Sequence, residues 1–149
     1  MYDPYSKETE LQEDERLSVQ KKTPEGDRAI AEGTIKMTEG AYYAFVTGAE
    51  IGKSEAWTTA RLAGIQGAKK ADELMLVRHS FSISALDIRY SVDENEHRVT
   101  LQCEARIKER TGAETVALVG CGMSLMVLAD ALRAIDSNIQ IEMLHILRR

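Results

Sequence analysis

Two stretches of alternating residues, separated by a short polar turn, constrain the fold more than any other part of the sequence. Within Ile83–Val92 and Val99–Ile107, apolar residues alternate with polar or charged ones. Asp93–Glu96 supplies residues typical of a turn. Because successive side chains of a strand point to opposite faces, this pattern predicts a β-hairpin with one apolar and one polar face.

The other elements follow in order around this hairpin. Before the hairpin, the patterns predict a first strand (Arg28–Met37), a short helix that ends near Val46 (Thr38–Val46), a loop (Thr47–Lys53) and a long helix (Ser54–Leu74). After the hairpin, they predict a second long helix (Glu114–Ile135) and a last strand (Ile139–Leu147). Apart from the short early helix, the order is β-α-β-β-α-β. It predicts an α+β, ferredoxin-like sandwich with one antiparallel sheet and the helices on one face. Such folds carry many functions, so the order alone does not predict an activity.

The length of 149 residues fits one domain. Residues 1–26 contain too few apolar residues to bury, which predicts a mobile tail before a single domain over 27–149. This segment lacks the apolar core of a signal peptide, so we expect a cytoplasmic protein. The apolar run Ala117–Ala129 is shorter than the roughly 20 residues that span a bilayer, which favours a buried helix and no membrane partner.

The net charge of −5 argues against broad nucleic-acid binding, which needs a basic face. An RNA-binding sheet would also carry two or three stacking aromatic residues, and the predicted strands offer only Phe81 and Tyr90. Cys103 and Cys121 do not form a CxxC pair, so we expect no metal site and predict two small buried residues.

Six short segments resemble, in order and spacing, the cyclic pyranopterin monophosphate synthase family, the MoaC enzymes of molybdenum cofactor synthesis. They are Arg28–Gly33, Lys53–Glu55, Ala60–Lys70, Leu76–His79, Thr111–Glu114 and Ala129–Ile135. The most specific segment is ARLAGIQGAKK, which is similar to the family helix Ala-Arg-Ile-Ala-Gly-Ile-x-Ala-Ala-Lys-Arg. Together the segments cover the chain from about Arg28 to Leu147.

This resemblance implies a reaction and an assembly. Family members convert a cyclised GTP derivative, 3′,8-cyclo-7,8-dihydro-GTP, to cyclic pyranopterin monophosphate and release pyrophosphate. They form homohexamers, built as trimers of dimers, with sites at subunit interfaces. The ligand expected here is therefore a purine-derived triphosphate or a pterin phosphate. No cofactor follows from the resemblance, and whether Mg²⁺ accompanies the triphosphate stays open.

The resemblance also assigns roles. The candidate catalytic residues are Lys53, His79, Glu114 and Asp130, and the candidate phosphate-binding residues are Arg28, Lys69, Lys70, Arg78 and Arg133. Cations bind phosphate oxygens and stabilise charge on the departing pyrophosphate, while lysine and histidine can transfer protons. We expect six of these residues to line one pocket completed by a neighbouring subunit: Lys53, Lys69, His79, Glu114, Asp130 and Arg133.

Three family positions differ in this chain. Arg78 replaces a cysteine, Val116 replaces a second glutamate and Arg133 replaces a lysine. Arginine keeps the positive charge of lysine but cannot act as a base. Two interpretations therefore stay open: a working synthase, and a catalytically impaired paralogue that binds a purine nucleotide or pterin phosphate.

Overall fold

A computed structural model of the chain describes residues 26–47 and 53–148. The elements in these ranges are β1 (Asp27–Lys36), α1 (Glu39–Thr47), α2 (Lys53–Lys69), α3 (Ala71–Leu74), β2 (Ile83–Asp93), β3 (Arg98–Ile107), α4 (Ala113–Leu132) and β4 (Gln140–Arg148). The predicted mobile tail, except for Gly26, lies outside the described residues, and so does most of the predicted loop Thr47–Lys53.

The four strands form one antiparallel sheet in the order β2-β3-β1-β4. β1 thus lies between β3 and β4, although both follow it in the chain. α2 and α4 pack on the same face of this sheet and against each other. The predicted ferredoxin-like fold with helices on one face is confirmed.

The predicted hairpin is also confirmed, and its strands are one residue longer than expected at the turn. Asp93 lies opposite Arg98, and Val92 lies opposite Val99. Val99 and every second residue after it up to Ile107 are buried under the helices. The alternation that predicted the hairpin is therefore the alternation between the helix-covered face and the open face of the sheet.

Both long helices end before their predicted limits. The helix expected over Ser54–Leu74 is broken, because α2 ends at Lys69 and α3 is a separate turn. Here the carboxylate of Asp72 accepts a hydrogen bond from the backbone N–H of Phe81 at 3.1 Å, which returns the chain towards β2. The second helix ends at Leu132 instead of Ile135, whose N–H bonds the Leu132 carbonyl in a tighter turn.

α2 and α4 approach closely at small residues. A Cβ atom at Gly64 would lie 2.7 Å from the backbone carbonyl oxygen of Gly120. Beside this contact, the buried hydroxyl of Ser124 donates a hydrogen bond to the Ala60 carbonyl at 2.8 Å. Since Ala60 contacts Ser124 while Ala68, further along α2, lies beside Gly120, the two helices run antiparallel, with the end of α2 beside the first half of α4.

α4 is apolar around most of its circumference. By length and composition alone α4 could cross a membrane, but half of its most apolar stretch is buried within the fold. The two cysteines are fully buried, as predicted: Cys121 is on the inner side of α4, and Cys103 is on β3 beneath it. Burial raises the pKa of the Cys103 thiol strongly and that of Cys121 to about 12, so neither is a ready nucleophile.

The open face of the sheet carries a cluster of paired charges. Glu104, on the central strand β3, accepts hydrogen bonds from Arg28 at 2.9 Å and from Arg106 at 3.2 Å. Arg89 lies 3.8 Å from the other oxygen of Glu104 and 3.4 Å from Asp87. Glu104, Arg28 and Arg106 are buried, although none of the helices in residues 26–47 and 53–148 covers this face.

The edge strand β4 is interrupted by a bulge. The register with β1 shifts between the pairs Glu32–His145 and Thr34–Glu142, and Met143 adopts a left-handed conformation with φ of 58°. Two residues of β4, Met143 and Leu144, therefore face the single residue Gly33. The bulge turns Leu144 towards α4, where its Cδ2 lies 3.4 Å from the position of a Cβ atom at Gly122.

Candidate active site

The sheet has two ends, and each gathers a different set of elements. At the Arg28 end, β1 and β2 begin, β3 ends and α4 starts. Asp27 fixes this end, because its Oδ2 accepts a hydrogen bond from the backbone N–H of Ala113 at 3.1 Å. The Lys108 N–H binds the Ser82 carbonyl there at 2.9 Å. At the opposite Asp130 end, β1 gives way to α1, the hairpin turns and α4 stops.

Six of the predicted site residues lie at the Arg28 end: Arg28, Lys69, Lys70, Arg78, His79 and Glu114. Lys69, Lys70, Arg78 and His79 are exposed, and Glu114 is half-buried in the first turn of α4. Arg28 is the exception, since it is buried against Glu104 on the open face of the sheet. This end therefore presents exposed cations together with the half-buried carboxylate of Glu114.

Three predicted residues belong to the other end. Asp130 and Arg133 form the expected ion pair at 3.2 Å, and their side chains are 79% and 60% exposed. Because α2 runs antiparallel to α4, its first residue, Lys53, also belongs to the Asp130 end. The side chain of Lys53 lies outside the described part of the structure.

The two groups are far apart within one chain. Glu114 and Asp130 are both on α4 and are separated by sixteen positions, or about 24 Å at 1.5 Å per residue. Catalytic groups must come within hydrogen-bond reach of the same substrate. Glu114 and Asp130 of a single copy therefore do not reach the same reacting group, and the described part of one chain does not form the predicted pocket. Its completion by a neighbouring subunit stays a prediction.

The side chain of Val116, which stands at one of the family positions, points away from both groups of site residues. Val116 is fully buried in the core beneath α4. It follows Glu114 by two residues, which on a helix turns the side chain by about 200°. A glutamate restored at position 116 would therefore enter the core of this chain instead of joining Glu114.

The structure also contains a polar corner that the sequence did not reveal. Asp136 is buried, and its two oxygens accept the backbone N–H groups of Thr38 and Asn138, each at 2.8 Å. These bonds, the one from Thr38 first, lower the pKa of the Asp136 carboxyl. A shallow cavity of about 240 Å³ opens beside it, lined by Lys36, Met37, Thr38, Asp136, Asn138 and Gln140. None of the predicted site residues lines this cavity.

A second unpredicted cluster lies at the hairpin turn. His97 has a left-handed φ of 52°, and its ring lies 5.4 Å from that of Tyr42 and 6.2 Å from that of Tyr43. The Tyr43 hydroxyl donates a hydrogen bond to Glu94 at 3.1 Å. The cluster attaches α1 to the turn and so has a structural role. The only sequence signal was a pair of adjacent tyrosines, which does not indicate a partner.

Comparison with known proteins identifies the family, which the geometry of the site alone does not identify. The model of the MoaC family matches residues 16–149. The chain belongs to the MoaC family.

Several relatives of this MoaC chain carry the name cyclic pyranopterin monophosphate synthase. That of Bordetella avium (strain 197N) is 34% identical over 118 residues, which cover 79% of this chain and 72% of the relative. That of Oleidesulfovibrio alaskensis is 35% identical over 111 residues, covering 74% and 69%. That of Helicobacter pylori (strain Shi470) is 34% identical over 113 residues, covering 76% and 71%.

Without the family resemblance, the exposed charged residues at the two ends of the sheet would be interpreted as ordinary surface residues. The exposed Asp130–Arg133 pair would otherwise be a surface ion pair worth less than about 1 kcal/mol. The exposed Lys69 and Lys70 would otherwise be a solvated helix end. That these side chains belong to the site stays a prediction, which rests on the resemblance of their segments to the family.

Proposed function

We propose that this chain acts in molybdenum cofactor biosynthesis and converts the cyclised GTP derivative to cyclic pyranopterin monophosphate with release of pyrophosphate. The observation that carries the proposal is the family match over residues 16–149, together with relatives named as this synthase. The exposed cations of the Arg28 end support it, because the substrate carries a triphosphate.

Seven of the nine predicted residues have a task in this reaction. Lys69, Lys70 and Arg78 bind phosphate oxygens and stabilise the charge of the departing pyrophosphate. Lys53 transfers a proton at the reacting sugar or pterin, and His79 relays it to water. Asp130 holds the guanidinium of Arg133 in place for phosphate. Mg²⁺, where it accompanies the triphosphate, arrives as part of the substrate.

The proposal includes a homo-oligomer, with a hexamer built from three dimers as the expected form. Two observations support it. The two groups of site residues are about 24 Å apart in one chain, and α4 keeps exposed apolar residues such as Met126 on its outer side. We place this enzyme in the cytoplasm, with no nucleic acid or membrane as partner.

A second function is favoured by three residues. Arg78, Val116 and Arg133 each stand where the family carries a group that can change its protonation state. Arg78 and Arg133 still attract an anionic ligand, but arginine does not exchange protons near neutral pH. The alternative is a paralogue that binds a purine nucleotide or a pterin phosphate and turns over the family substrate slowly.

The test is a comparison of turnover and binding on the same protein. We expect the wild type to release pyrophosphate from the cyclised GTP derivative and to bind it in calorimetry. Binding without pyrophosphate release would establish the paralogue instead. Absence of binding to the cyclised derivative, GTP and the pterin product would refute both functions.

A pair of substitutions measures how much the arginines limit the reaction. Arg133→Lys combined with Arg78→Cys restores two titratable groups, and proton transfer typically contributes about 10²–10⁴-fold to a rate. We therefore expect pyrophosphate release to rise by at least about tenfold, while the affinity for the ligand stays equal or falls. An unchanged rate would show that these positions do not limit turnover. Lys70→Arg is the matched control, since it keeps the charge at a position with no proposed proton transfer.

A further inference from the structure

The segment between α3 and β2, residues 75–82, carries two of the predicted site residues, Arg78 and His79, and we call it the His79 loop. Both side chains are exposed. An exposed side chain reaches a fixed point only where the backbone that carries it is fixed. The contacts that hold the His79 loop therefore decide how well its side chains are oriented towards a bound substrate.

Asp72 holds the His79 loop on both sides of the predicted site residues. Before them, the backbone carbonyl of Asp72 accepts a hydrogen bond from the N–H of Val77 at 2.8 Å. After them, the Oδ2 atom of Asp72 accepts the N–H of Phe81 at 3.1 Å. Its Oδ1 atom accepts the N–H of Glu73 at 2.8 Å, which keeps the carboxylate in place. The three residues between Val77 and Phe81 are thus spanned by two bonds to one residue.

The far end of the His79 loop is also tied to the rest of the fold. The N–H of Ser82 donates a hydrogen bond to the carboxylate of Glu109 at 2.7 Å. The ring of Phe81 lies over Gly112, where a Cβ atom would come within 2.3 Å of it. Because Gly112 directly precedes α4, this contact places the end of the loop beside the first turn of α4, which contains Glu114.

The backbone of the His79 loop is strained between these contacts. Leu76 has a left-handed φ of 54° and is 90% exposed, so burial does not account for its conformation. A leucine rarely adopts this region, and such a residue persists only where its surroundings determine the backbone. Strained positions of this kind cluster at functional sites, which supports a functional reason for the bonds to Asp72.

We propose that Asp72 is a positioning residue, which fixes the His79 loop and thereby orients His79 for proton transfer. This inference rests on the proposed function, because it assigns how a residue of that site is kept in place. Asp72 acts through the loop and does not touch the substrate. Without its carboxylate, the loop keeps the bond of Val77 but loses the bond of Phe81, so His79 samples more positions.

Amide hydrogen exchange tests the anchor without any ligand. In Asp72→Ala, the N–H of Val77 keeps its acceptor, the backbone carbonyl of residue 72, so its exchange reports the opening of the loop. A hydrogen bond to a charged group changes an equilibrium by about tenfold or more, and we expect Val77 to exchange at least about tenfold faster than in the wild type. The N–H groups of β1 and β3 should stay protected.

Asp93→Ala is the matched control, because the carboxylate of Asp93 also accepts two backbone N–H groups, at 3.0 and 3.2 Å, but in the hairpin turn. Asp72→Asn keeps the size of the side chain but only one acceptor oxygen, and it replaces Asp72→Ala if that variant does not fold. Unchanged exchange of Val77 in the variant of Asp72, or an equal increase in Asp93→Ala, would overturn the proposal.

A double-mutant cycle on pyrophosphate release tests the link to His79. Asp72→Ala alone should lower kcat by at least about tenfold, because a misplacement of about 1 Å can cost about 10²-fold. In a His79→Ala background, the factor should be smaller by at least about threefold, since the group that Asp72 orients is absent. A purely structural role would give the same factor in both backgrounds, and that result would overturn the proposal.

The two measurements also separate this inference from the proposed function. If the wild type releases no pyrophosphate while the exchange of Val77 responds to Asp72→Ala as expected, the anchor stands and the proposed function fails. If the wild type is active and Asp72→Ala changes neither exchange nor kcat, the proposed function stands and the positioning role of Asp72 fails.

Discussion

Gly64 offers the sharpest test of how α2 and α4 hold the core together. In Gly64→Ala, the new Cβ atom would lie 2.0 Å from the Ser124 hydroxyl and 2.7 Å from the backbone carbonyl of Gly120. A hydroxyl can rotate away, but a carbonyl in the middle of a helix cannot. The helices must separate, or the Ser124–Ala60 hydrogen bond must break.

The cost of Gly64→Ala can be worked out from these contacts. Overpacking typically costs about 1–3 kcal/mol, and a buried hydroxyl that loses its partner costs about 1–3 kcal/mol. Alanine returns about 1 kcal/mol through its greater helix propensity. The free energy of unfolding should therefore fall by about 3 kcal/mol, which corresponds to a decrease in Tm of about 6–12 °C.

Gly40→Ala is the matched control, because a Cβ atom at Gly40 in α1 would meet nothing within 4 Å. The same substitution there should leave Tm unchanged or raise it slightly, since glycine gives the unfolded chain extra conformational freedom. Differential scanning calorimetry at one protein concentration measures both variants, because Tm of an oligomer depends on concentration. A Gly64→Ala protein as stable as Gly40→Ala would refute the reasoning.

Three other substitutions probe buried groups. Glu104→Ala removes the acceptor shared by Arg28 and Arg106, and should lower the free energy of urea unfolding by about 3–5 kcal/mol; a change below about 0.5 kcal/mol would show that the cluster is solvated. Asp136→Asn should destabilise at neutral pH. Because the pKa of Asp136 is lowered in the folded protein, its contribution to the free energy of unfolding is complete above the unfolded pKa of about 3.9 and is lost as the pH falls through the folded pKa. The urea midpoints of the wild type and Asp136→Asn should therefore converge below about pH 4. A difference that does not change with pH would contradict this. Val116→Glu should unfold the chain or lower Tm by at least about 6 °C, because it places a carboxylate in the core; a stable variant would mean that position 116 can reach solvent.

The sequence predicted those parts of the fold in which one physical cause dominates. The hairpin was predicted to within one residue, because every second side chain from Val99 to Ile107 is under the helices. The end of α2 was missed because the helical pattern continues past Lys69 to Leu74, whereas the bond from the Phe81 N–H to Asp72, which returns the chain towards β2, has no signal in the spacing. The bulge at Met143 was missed for the same kind of reason, since it depends on the space that Gly33 leaves beside α4.

The residues of the candidate site were likewise predicted in part and missed in part. The sequence resemblance identified the candidate residues, and the helical spacing of three positions accounts for the Asp130–Arg133 pair. The separation of Glu114 and Asp130 follows from the predicted helix Glu114–Ile135 itself, since sixteen helical positions span about 24 Å. Spacing could not show the surroundings of each side chain. Nor could it show that Arg28 is buried against Glu104, which depends on the pairing of β1 with β3.

The strand order has a consequence for how the protein is made. β1 is synthesised first, but its neighbours are β3 and β4, and Ile30 pairs with Glu104 and with Arg148 near the end of the chain. β2 and β3 can pair with each other as soon as both leave the ribosome, since only a short turn separates them. β1 must wait, with one edge open until β3 emerges and the other open until β4 emerges. A ribosome that stalls before β4 is complete would therefore hold a nascent chain with a free sheet edge, which is the form most exposed to aggregation and most in need of a chaperone.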